Sequence, residues 1–106
     1  MIKYGLDQID ELKFLDFHFT IERRDDQWID VTLTPQLSSL SAPIPQDLAE
    51  FTILVICNHA GAIAQMVPQD IGCDCEYQLT FSEKEQVRLF IESIEERIIA
   101  ASTVEL

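Results

Sequence analysis

Residues 51–67, FTILVICNHAGAIAQMV, contain no charged side chain. So long an uncharged run in a short chain marks where the core lies. Its first part, Phe51-Thr52-Ile53-Leu54-Val55-Ile56-Cys57, is dense in β-branched residues, which are stiff at χ1 and pack well on a pleated surface. It predicts a strand buried on both faces, with the rest of the chain arranged as its cover. Asn58-His59-Ala60-Gly61 predicts a turn, and 62–67 a returning strand that Pro68-Gln69-Asp70 ends. The rival reading is a single helix across 46–66, which the block at 53–56 and Gly61 oppose. A membrane span fits poorly, because the run sits at the lower limit of length and holds Asn58, His59 and Gln65.

The flanking segments change period. Leu15, Phe17, Phe19 and Ile21 alternate with Asp16, His18, Thr20 and Glu22, and Ile29, Val31 and Leu33 alternate with Asp30, Thr32 and Thr34. Joined by the polar link 23–27, they predict an antiparallel hairpin with one wet face. Residues 34–46, with three prolines and three serines, predict a surface loop, and 47–50 a single helical turn. Cys73, Cys75, Tyr77, Leu79 and Phe81 alternate with Asp74, Glu76, Gln78 and Thr80, which predicts a further strand with an acidic outer face. Ser82 with Glu85 reads as a capping box, and Val87, Phe90, Ile91, Ile94, Ile98 and Ala101 share one stripe of a helix over about 83–101. Leu89 and Ile99 lie off that stripe. Ile2, Leu6, Ile9 and Leu12 suggest a short amphipathic helix within 1–14. The expected fold is α+β: one domain over 1–106, with an antiparallel sheet of about four to five strands. The C-terminal helix covers that sheet, and a short N-terminal helix is added.

Charge bounds the partners. Nineteen acids against seven bases give a formal net charge of -12, a field that repels nucleic acid and anionic membranes. All seven bases precede Asp25 or follow Glu83, so Asp30, Asp47, Glu50, Asp70, Asp74 and Glu76 have no base near them in sequence. Such a segment serves solubility, or it meets a basic surface on another protein. An odd count of three cysteines and no signal-peptide pattern at the N-terminus suggest a reducing, cytoplasmic setting.

Three constellations could carry chemistry. Cys57 and His59 with Cys73 and Cys75 could surround a zinc ion if their strands were neighbours, but neither pair has the C-x2-C spacing of a zinc knuckle. Buried thiols without metal are the commoner case, so no metal is expected. Asp16, His18, Thr20, Asp30 and Thr32 are the raw material of acid–base work on a wet strand face, without a nucleophile elbow, phosphate loop or cofactor motif beside them. His59, in a turn, fits a hydrogen-bonding role better than that of a base. Trp28 reads either as a lid over Arg23 or Arg24, or as an interface anchor rimmed by Asp25, Asp26 and Asp30.

The favoured reading is a non-catalytic acidic binding protein of the immunity, inhibitor or chaperone type. Trp28, Asp25, Asp26, Asp30, Asp74 and Glu76 would meet a basic partner. A homodimer is expected, formed through the helix or a strand edge. The alternatives are a small oligomer holding a small molecule in a sheet–helix or subunit pocket, and a metal-dependent or acid–base enzyme.

Overall fold

The computed structural model describes residues 1–102. Five strands form one antiparallel sheet in sequence order: β2 (Phe14–Arg23), β3 (Trp28–Leu37), β4 (Phe51–Asn58), β5 (Ile63–Asp70) and β6 (Cys73–Asp74). A second, two-stranded sheet pairs β1 (Ile2–Lys3) with β7 (Tyr77–Gln78). Two helices, α1 (Phe81–Ser93) and α2 (Glu95–Ala101), follow and lie on one face of the larger sheet. The fold is α+β, as the periodicities imply.

The hairpin β2–β3 lies where its alternation places it, except at Leu15. The pattern turns Leu15 inward, yet it is 73% exposed because the register shifts at a bulge between Phe14 and Asp16. Ile29, Val31 and Leu33 pair with Cys57, Val55 and Ile53, and all six are buried beneath the helices. β4 itself departs from expectation. Phe51, Ile53, Val55 and Cys57 are buried, whereas Thr52, Leu54, Ile56 and Asn58 are only half-buried. A strand is buried on both faces only when a packed layer lies on each side of its sheet, and here the helices lie on one side.

Several boundaries also differ. Residues 1–14 form no helix: β1 is followed by a turn, and Ile2 bridges back to Ile9. Gly5 takes a left-handed φ of 82°, which ends any helical run. β5 continues through Pro68. The Pro68 carbonyl accepts from the Cys75 N–H, so its nitrogen also faces the short strand β6 and costs no bond to β4. β3 likewise runs past Thr34 to Leu37, with Pro35 beyond the last position paired to β4. Residues 47–50 are turns and bends instead of a helical turn.

The expected strand over 73–81 is cut in two. β6 joins the large sheet and β7 leaves it to pair with β1, and Phe81 is 81% exposed because it already opens α1. The capping box is therefore Thr80 with Glu83, not Ser82 with Glu85. Both pairs match the same spacing, and Glu83 prevails through tertiary partners. Its Oε2 accepts from the Met1 ammonium at 2.6 Å and from Leu12 N at 2.8 Å, while Oε1 accepts from Thr80 N at 2.8 Å. Glu85 turns outward to Arg88.

The single expected helix breaks at Ile94, whose φ of -114° and ψ of 15° are not helical. Ser93 directs its hydroxyl back to the Phe90 carbonyl, a bond that bends helices. The break lets Val87 and Ile91 on α1, Ile94 at the joint and Ile98 on α2 all reach the sheet. Gly61 takes a left-handed φ of 86° and sits where a Cβ would come within 2.9 Å of Glu95 Cγ, so any other residue would strain this turn and displace the Glu95 side chain at the start of α2.

Candidate functional site

Among the described residues, no helix or strand covers the face of the sheet away from the helices. Strand parity puts Asp16, His18, Thr20 and Glu22 of β2 on it, then Trp28, Asp30, Thr32 and Thr34 of β3, Thr52, Leu54, Ile56 and Asn58 of β4, and Gln65, Val67 and Gln69 of β5. Four large apolar groups lie within this polar field, all half-buried: Trp28, Leu54, Ile56 and Val67. Leu54 pairs directly with Val67, Ile56 lies opposite Asp30 and Gln65, and Trp28 is diagonal to Ile56. Reading β4 as wholly buried hid Leu54 and Ile56 from any site assignment. Their even parity, matching that of Trp28 across the ladder, is the signal that finds them.

At the hairpin tip Trp28, Asp25, Asp26 and Asp30 do come together. Asp25 Oδ1 accepts from the backbone N–H of Gln27 and Trp28, both at 2.8 Å. Those two bonds, with Arg24 and His59 contributing less, hold its carboxyl below the usual carboxylate range. Asp25 therefore shapes the turn that positions Trp28. Arg23 pairs with Asp26 at 2.8 Å and Arg24 with Asp30 at 2.9 Å, so the two arginines are committed to carboxylates. The rim keeps both signs of charge and is less acidic than its carboxylates alone suggest. His59 Nε2 lies 3.0 Å from the Asp25 carbonyl and ties the β4–β5 turn to the hairpin tip, the hydrogen-bonding role expected of it.

Asp74 and Glu76 stand apart. Asp74 lies on the same face, but three strands over and at the opposite end of the ladder, in the row of Gln69 and Thr52. At normal strand spacing and rise, that is roughly 25 Å from Trp28. Glu76 is exposed in the link between β6 and β7.

The cysteines and His59 do not converge. Cys57 points into the core at the Ile63 end of β4–β5, while Cys73 is exposed at the Asp70 end, about 20 Å away along the strands. Among the described residues no three His, Cys, Asp or Glu side chains form a metal-sized cluster. Burial, with Asp30 adding to it, pushes the Cys57 thiol up to about 11. Burial also raises Cys75. A thiol titration of the native protein should accordingly label Cys73 first and Cys75 more slowly, with Cys57 reacting only on unfolding. An unfolded thiol ionises near 9.0, so this group should erode stability as pH rises from there through about 11. Rapid labelling of Cys57 in folded protein would contradict its placement.

The space between sheet and helices is filled by the core itself. The depression between the β4–β5 turn and α1, lined by Ala60, Ile63, Arg88 and Glu95, opens to solvent. Among the described residues no helix is long and apolar enough to cross a membrane. No protein-family model, curated protein or solved structure gives a significant match to the chain. The class defined by the structure is thus a five-stranded antiparallel meander covered on one face and open on the other.

Proposed function

We propose that this chain is a non-catalytic binding protein of the cytoplasm that acts as a homodimer and docks its open sheet face onto a basic surface of a partner protein. The observation supporting this is the apolar group Trp28, Leu54, Ile56 and Val67, set in a polar sheet face on a chain of net charge -12. A half-buried tryptophan with aliphatic neighbours has the chemistry of an interface anchor, and surrounding carboxylates steer a cationic partner toward it.

The roles separate kinetically. With a partner isolated by co-purification, Trp28→Ala should raise the off-rate. Asp26→Lys combined with Asp74→Lys should lower the on-rate, by a factor that shrinks as salt screens the field. Asp25 is left in place because its two backbone bonds hold the turn. Binding indifferent to salt and to all three substitutions would reduce the face to a solubility device.

A further inference from the structure

β2 is the first strand in the sheet order, so its outer edge is unpaired among the described residues. Which of its amides point outward follows from one residue. Phe17 pairs with Pro35, which has no N–H, so that position cannot exchange hydrogen bonds. Asp16, His18, Thr20 and Glu22 therefore turn their backbone groups toward β3, and Phe17, Phe19, Ile21 and Arg23 turn theirs to the edge. A second observation agrees: the Phe17 N–H is taken up at 2.8 Å by the Asp16 carboxylate. That bond and the bulge between Phe14 and Asp16 blunt the first part of the edge. Among the described residues no side chain caps the amides of Phe19 or Ile21, whose side chains are only half-buried on the helix-covered face.

We infer that this edge pairs with the same edge of a second copy, β2 against β2 in antiparallel order, with Thr20 on the two-fold axis. The inference specifies the homodimer of the preceding reading and does not depend on the basic partner. Charge selects the register. With Thr20 on the axis, each His18 lies beside Glu22 of the second copy, where an imidazole N–H meets a carboxylate. Phe19 then exchanges backbone bonds with Ile21 of the second copy on both sides of the axis. With Phe19 on the axis instead, Asp16 would oppose Glu22 twice, a repulsion that subunits of net charge -12 must avoid. With Ile21 on the axis, His18 would oppose Arg24 and the ladder would shrink to the stretch between Phe19 and Arg23. The favoured register also joins Phe19 and Ile21 of the two copies into one apolar row beneath the sheet. On the opposite side it makes the two open faces continuous, so each dimer presents a pair of Trp28 groups. Such edge-strand addition takes its affinity from main-chain bonds and its register from side chains.

Light scattering coupled to size-exclusion chromatography tests this on the 106-residue chain, at roughly 10 to 300 µM and without any partner. The wild type should rise from 12.1 kDa toward twice that mass. His18→Glu, on an exposed position, should weaken the dimer about tenfold by opposing two pairs of acids. Adding Glu22→Lys to it should restore association, which a merely structural role for His18 would not predict. Thr20→Cys in a Cys73→Ser, Cys75→Ser background should form an intersubunit disulfide, because facing Cα atoms at such a site lie about 4.5 Å apart. A chain that stays at 12.1 kDa would overturn both the dimer and this edge as its contact. A dimer indifferent to the charge swap and not cross-linked at position 20 would keep the dimer and overturn the β2 edge.

Discussion

Glu83→Gln is expected to destabilise the fold by about 3–5 kcal/mol, the usual consequence of stripping one partner from a buried ion pair. The carboxylate and the Met1 ammonium are both fully buried and 2.6 Å apart. The same carboxylate accepts from the backbone of Leu12 and Thr80. It thus joins the N-terminal segment, the loop before β2 and the start of α1 at one point. An amide has one acceptor oxygen, so its NH2 would be set against at least one of these N–H donors while the ammonium lost its counter-charge. Glu85→Gln is the control, since Glu85 meets only Arg88 at the surface. Urea melts of the two variants decide the matter. Equal melts would show that the buried cluster contributes nothing.

Ile94→Asp should be as damaging, at about 4 kcal/mol or more. Ile94 is 9% exposed at the joint between α1 and α2, and its carbonyl accepts from the N–H of Arg97 and Ile98. An aspartate there would be an unpaired charge against the core, at the point where both helices must turn to stay on the sheet. Glu92→Gln gives up only an exposed pair with Arg88 and should leave the melting temperature almost unchanged. If both variants melted together, the helices would not be the cover of this sheet.

The sequence alone was enough to determine what depends on near neighbours. Alternation at Phe17 to Ile21 and Ile29 to Leu33 specifies a hairpin and its buried face, because side chains two apart share a side whatever lies beyond them. The stripe Val87, Ile91, Ile94 and Ile98 specifies a helical cover for the same reason. Trp28, Asp25, Asp26 and Asp30 were legible as a group since one hairpin tip holds them all.

Tertiary structure decided what depends on distant partners. Whether Leu54 and Ile56 are core or surface turns on whether a second layer covers the sheet, and the strand's own residues read the same in either case. Thr80 and Ser82 offer equal capping boxes, and the choice between them was made by partners of Glu83 that lie far off in sequence, the Met1 ammonium and the Leu12 N–H. Cys57 and Cys73 could have been neighbours by pattern, but pairing in register placed them at opposite ends of β4–β5. The arginines of the first hairpin count as bases in sequence, yet only folding set Arg24 against Asp30 and Arg23 against Asp26. Periodicity specifies which side a residue faces. What stands on that side is settled by long-range register and packing, which no local pattern encodes.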